Sequence, residues 1–165
     1  MEKILTIESD EEKKILRAIS SPINSIEEEG ELIELLKNHF NENESSLGVS
    51  APQLGINKMA FAMANPRNLG EITICINPEI VKFYENKVGY YNETCLSIPG
   101  KKGLTKRYKM LKVTYYDENG VKIKRLLRDL EAIVFQHKLD HLFGVLMTDK
   151  DPKLTAREGD INGKL

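Results

Sequence analysis

Tryptophan is missing from these 165 residues, and cysteine occurs only twice, as Cys75 and Cys95. Two cysteines cannot build the disulfide framework of a small secreted domain, so stability has to come from a hydrophobic core. Neither sign of charge is in surplus, since 24 Lys and Arg stand against 25 Asp and Glu for a net charge of -1. That balance argues against a dedicated nucleic-acid binder, which needs a cationic excess to displace counterions. No apolar run approaches the roughly 20 residues of a membrane span. Met1–Asp10 turns acidic where an export signal would be apolar, so the cytoplasm is the expected compartment. What is present has a globular balance, 41% hydrophobic and 30% charged residues. Area scaling takes about 27,000 Å² of unfolded surface to about 8,000 Å² folded, enough for one real core. With no repeat, low-complexity tract or linker, a single domain over 1–165 is expected.

The patterning predicts an α+β fold. Ser9 with Glu12 reads as a capping box ahead of Ile15, Leu16, Ala18 and Ile19, a segment that Pro22 ends. Ser25 and Glu28 repeat the device before the stripe Leu32, Leu35, Leu36 and Phe40. His39 beside that stripe has no companion ligand at helical spacing and reads as structural. Strands are expected over Met59–Ala64, Glu71–Asn77 and Lys87–Tyr91. Leu111, Val113 and Tyr115, then a two-residue Asn119-Gly120 turn, then Val121 and Ile123, read as a hairpin. A late helix follows, with Asp129 as its N-cap and Gly144 as its stop. Apolar residues surround it, so it should be central and mostly buried, with strands and hairpins around it.

That helix carries polar residues that need partners in a core. His137 and His141 stand four apart on one face and continue the stripe of Leu130, Ile133 and Val134 inward. Two inward imidazoles at this spacing can grip one divalent metal; the other reading is two core histidines bonded to backbone carbonyls. Cys95, in a strand-like segment that breaks at Pro99-Gly100, is a candidate third ligand. One thiolate with two imidazoles leaves a tetrahedral position open, and the soft donor set suits Zn, Fe, Co or Ni. Cys75, inside the apolar run Ile72–Ile76, reads as an inert buried thiol.

Three segments together resemble the peptide deformylase family. Ser46-Leu47-Gly48-Val49-Ser50-Ala51-Pro52-Gln53-Leu54-Gly55 is similar to the family's G-x-G-x-A-A-P-Q-x-G, and Glu93-Thr94-Cys95-Leu96-Ser97 to its E-G-C-L-S. Gln136-His137-Lys138-Leu139-Asp140-His141 is similar to Q-H-E-x-D-H, and the resemblance runs from about Ile4 to Asp149. It implies metal-dependent hydrolysis of the N-formyl group of formyl-methionyl peptides. Cys95, His137 and His141 would bind the metal, ferrous iron by family habit, with zinc, nickel or cobalt able to substitute. Gln53 and the Leu96 N–H would donate to the oxyanion of the tetrahedral intermediate. Gly48 would present backbone to the extended peptide, and Leu47, Ile133 and Val134 would line the methionine pocket. Glu93 would pair with Arg107 in support of the site. The partners so implied are N-formyl-Met nascent peptides met at the ribosome, for a protein that is a monomer or weak dimer and touches neither nucleic acid nor membrane.

The sequence departs from that pattern at the centre. Lys138 stands where the family carries its general base, Glu, and losing such a base typically costs about 10²–10⁴-fold in rate. A desolvated amine could still act as a base, unless its long stem swings away from the metal. Ser46 and Thr94 replace glycines and Ser50 an alanine, with β-branched Thr94 stiffening the backbone beside Cys95. Three functions stay open: a slow hydrolase, a relative that binds metal and N-terminal peptides without turnover, and a metal-stabilised domain without a ligand.

Overall fold

The structure, a computed structural model, describes residues 3–42, 46–65 and 68–151. Helix α1 (Asp10–Arg17) and helix α2 (Gly30–Glu42) precede a short strand β1 (Gly48–Ser50) and a 3₁₀ turn over Ala51–Leu54. Strands β2 (Ala60–Asn65), β3 (Asn68–Phe83), β4 (Val88–Cys95), β5 (Ile98–Tyr108), β6 (Met110–Tyr116) and β7 (Lys122–Arg128) follow. The chain then forms helix α3 (Asp129–Leu142) and a last turn, α4 (Met147–Lys150). All pairings between strands are antiparallel, in a five-stranded sheet of order β1-β2-β3-β6-β7 and a separate β4-β5 ribbon.

Burial explains the two kinds of strand pattern. Strand β2 is apolar from Ala60 to Ala64 because both of its faces are covered there. Ala60, Ala62 and Ala64 pack with Leu32, Leu36 and Phe40 of α2, while Phe61 and Met63 pack with Ala132 and Phe135 of α3. Strand β6 alternates because only Leu111, Val113 and Tyr115 reach that second core. Phe61 and Phe135 meet edge to face at 5.2 Å, fastening α3 to the sheet. As expected, α3 is central, buried over most of its length.

Local chemistry differs from the sequence reading at six places. Helix α1 ends at Arg17, before Pro22, and Ile19 beyond it is exposed. Ser9 caps α1 through the Glu12 N–H, but the Glu12 carboxylate turns to Lys3 and the Thr6 N–H instead of closing the box. The second device fails altogether: the turn ahead of α2 starts after Ile26 with no side-chain cap. The β6–β7 connection is a three-residue loop closed by the Asp117 N–H to Val121 O bond, not a two-residue turn. Only Gly120 takes positive φ there, whereas a two-residue turn of that type needs it twice, and the Asp117 carboxylate accepts from the N–H groups of Asn119 and Val121. Asp129 is the first residue of α3 and not its cap; it has φ 49° and gives its N–H to Lys109 O. Finally, the β4–β5 break falls at Leu96-Ser97, and Pro99-Gly100 lies inside β5.

Candidate metal centre

Strand β4 ends at Cys95 and α3 carries His137 and His141 one turn apart, so the packing of α3 brings the three together. Their donor atoms all lie within 4.8 Å of one another, and all three side chains are buried. His141 Nε2 is 3.3 Å from both Cys95 Sγ and His137 Nε2. Bonds of about 2.0–2.3 Å from one tetrahedral ion would span donors about 3.3–3.6 Å apart, which the two spacings at His141 match. Burial alone would raise the Cys95 thiol, but the imidazoles of His137 and His141 and the Lys138 ammonium outweigh it and bring the pKa to about 4. Burial pushes His141 down to about 4, so its ring is a neutral ligand. A thiolate beside the neutral His141 ring is a protonation state that divalent transition ions bind.

Behind the donors lies a buried ion-pair chain. His137 Nδ1–H donates to Glu93 Oε2 at 2.7 Å, which leaves Nε2 to face the cluster. Glu93 accepts in turn from Arg107 at 2.6 and 2.9 Å and from Thr105 Oγ1 at 2.5 Å. Burial opposes the charge on Glu93, yet Arg107 and His137 hold its carboxyl far below the usual range. Arg107 is 1% exposed and also reaches Asp140 at 2.5 Å. This is no surface salt bridge: removing either partner strands a buried charge.

On the other flank Gln53, 1% exposed, is fixed at both ends of its amide. Its Oε1 accepts from Ser50 N at 3.1 Å, Ser50 Oγ at 3.2 Å and Lys138 Nζ at 2.9 Å. Its Nε2 donates to Ser97 Oγ at 3.1 Å and lies 3.8 Å from Cys95 Sγ. Lys138 is buried, and that burial lowers its pKa against the pull of Cys95 and Glu93. Its stem does not swing out. It lies across Gly48 so closely that a Cβ there would sit 3.1 Å from Lys138 Cε and 3.2 Å from its Cγ.

A cavity of about 630 Å³ opens over the cluster, bounded by β1, the β4–β5 ribbon and α3. Leu47, Gly48, Leu96, Ile133 and Val134 line it together with Cys95, His137 and Lys138. Gln53, Arg107 and His141 lie behind that wall. Among the described residues strand β1 pairs only with β2, so its other edge borders the cavity and offers backbone groups to an extended chain. Ser50, Ser97 and Thr105 were missed by sequence reasoning, because small hydroxyl side chains carry no signal until a partner is placed beside them. His39 lies away from the cluster, 3.4 Å from Ser46 Oγ. Cys75 is buried among apolar residues, and that burial raises its thiol well above the ordinary value.

The family model for polypeptide deformylase matches residues 1–157. The chain belongs to the polypeptide deformylase family. The peptide deformylase of Leptospira biflexa is 34% identical over 166 residues, covering 92% of each chain. The chloroplastic peptide deformylase 1B of Solanum lycopersicum is 42% identical over 106 residues, 63% of this chain and 38% of that longer protein. Among solved structures, the deformylase of Thermotoga maritima superposes with a TM-score of 0.80 at 30% identity, covering 92% of this chain and 97% of its own. A class I type b deformylase of Acinetobacter baumannii, bound to Met-Ala-Ser, gives a TM-score of 0.73 at 28% identity, covering 89% and 96%. The deformylases are hydrolases, and this chain shares their mixed helix and antiparallel-sheet fold. Among the described residues no helix is long and apolar enough to cross a membrane.

Proposed function

We propose that this chain is a metal-dependent amide hydrolase that removes the formyl group from formyl-methionyl peptides, slowly, because Lys138 occupies the place of the general base. The observation that carries this reading is the convergence of Cys95, His137 and His141 under a cavity bordered by the free edge of β1. Cys95, His137 and His141 hold the ion, ferrous iron by family and replaceable by zinc, nickel or cobalt. A bound divalent ion supplies Lewis acidity at the formyl carbonyl. Gln53 Nε2 and the Leu96 N–H donate to the developing oxyanion, Gly48 pairs with the peptide backbone, and Leu47, Ile133 and Val134 take the methionine side chain. Glu93 and Arg107 fix the orientation of His137. The Acinetobacter relative bound to Met-Ala-Ser supports a peptide in this groove. With that substrate go the remaining parts of the reading: a single domain over 1–165, nascent chains at the ribosome, the cytoplasm, and a monomer or weak dimer.

The contact of Lys138 Nζ with Gln53 Oε1 favours a second reading, binding without turnover, since the amine is engaged as a donor and not poised as a base. A formate-release assay on the iron- or nickel-loaded protein decides between them. The hydrolase reading expects slow release that Lys138→Glu raises about 10²-fold or more, the scale of a positioned general base. No release from either protein, with metal and formyl-peptide binding intact, hands the site to the binding reading.

A further inference from the structure

The charges lining the cavity do not balance. Its acidic lining residue among those described is Glu93, and that carboxylate is already consumed by Arg107, Thr105 and His137. Against it stand three lysines, with Lys138 buried at the floor and Lys101 and Lys102 exposed at the start of β5. Lys101 and Lys102 have no ion pair among the described residues. Because the donor cluster and Lys138 are buried and both outer lysines are exposed, depth orders the site, with the reacting end inside and Lys101 and Lys102 at the mouth. A peptide whose formyl end lies at Cys95, His137 and His141 leaves through the exposed rim on which those two ammonium groups stand. Among the described residues, a chain with a net charge of -1 thus gathers positive charge without ion pairs at the entrance to this cavity.

We propose that the cavity mouth selects formyl peptides bearing carboxylate side chains at the second and third residues, with Lys101 and Lys102 as the specificity-determining groups. The inference rests on the reading that the cavity holds formyl-methionyl peptides. Exposed charge pairs are individually weak and screened by salt, so the selection is modest, salt-sensitive and expressed in binding.

The test uses the metal-loaded full chain and three C-terminally amidated peptides, formyl-Met-Ala-Ser, formyl-Met-Asp-Glu and formyl-Met-Lys-Lys. Affinity is read from the rise in melting temperature on titration, with peptide in large excess so that slow turnover leaves it intact through the scan. The acidic peptide should bind about fivefold more tightly than the neutral one and the basic peptide correspondingly worse. The spread should shrink as salt rises from about 0.02 to 0.5 M. Lys101→Glu with Lys102→Glu should reverse the order of the acidic and basic peptides. Equal affinity for all three peptides, or an order that survives the charge reversal, would overturn the selection while leaving the peptide site standing. Failure of all three to bind would remove the peptide site and this proposal together.

Discussion

Cys75 and Cys95 show how surroundings divide one side chain into two chemistries. Burial keeps Cys75 a thiol, whereas two imidazoles and an ammonium make Cys95 a thiolate despite its burial. Cys95→Ser should therefore cut the bound transition metal from about one ion per chain to well below half, and Cys75→Ser should leave it unchanged, as elemental analysis after desalting would show. Arg107 presents a different dependence, because Glu93 and Asp140 both rely on it. Arg107→Met should cost about 3–5 kcal/mol in urea denaturation, the cost of stranding a buried charge, and a loss under 1 kcal/mol would mean that water reaches Glu93. The pair His137 and His141 was legible in the sequence as a candidate metal grip because spacing and residue type alone restrict what two histidines on one helical face can do. The support around them was not. Ser50 and Lys138 converge on one amide oxygen of Gln53 from positions 88 residues apart in sequence, and only the packing of α3 against β1 and the turn after it makes them neighbours.

Elements were easier to recognise than their ends. Periodicity located α2, the β6–β7 hairpin and α3, since a buried face imposes its period on many residues at once. Ends depend on one or two hydrogen bonds, and neither Ser25 nor Asp129 caps its helix: the turn ahead of α2 starts after Ile26 and α3 after Arg128, each without a side-chain cap bond. Gly144 is the exception, a stop that the structure explains twice over. It has φ 68°, and a Cβ there would lie 2.2 Å from Arg17 O, where the end of α1 crosses the turn after α3. Gly144→Ala should destabilise by about 2–4 kcal/mol. Gly30→Ala is the contrasting case, because Gly30 has helical φ and ψ and a Cβ there meets nothing within 4 Å. It should stabilise by about 0.4–1 kcal/mol, and thermal melts of the two variants moving in the same direction would refute this account.

At the scale of the molecule, helices α2 and α3 clamp opposite faces of the sheet, and the β4–β5 ribbon closes over the edge that β1 leaves open. Metal binding should stabilise this assembly directly. At about a thousandfold excess over the dissociation constant the gain is about 4 kcal/mol, so chelation should lower the melting temperature by roughly 10 °C. Away from the site, Arg17 ties α1 to α4 through Asp149. Burial opposes the Asp149 charge, but Arg17 and the Leu146 N–H prevail and hold its pKa below the ordinary 3.8. A depressed carboxylate contributes its stability above the unfolded pKa and loses it as pH falls. Wild type should therefore lose more stability than Asp149→Asn between about pH 5 and 3, by a few tenths of a kcal/mol because the pair is partly exposed. An α+β chain with two histidines one turn apart on a buried helix, and a cysteine elsewhere in the chain as their candidate companion, was legible in the sequence alone, because residue type and period act over short distances along the chain. That Lys138 lies folded across Gly48 onto Gln53, that Arg107 is buried beneath His137, and that two lysines stand at the cavity mouth was decided only by the tertiary structure. Those relations join strands and a helix that lie far apart in sequence, and no local periodicity specifies which side chains will meet.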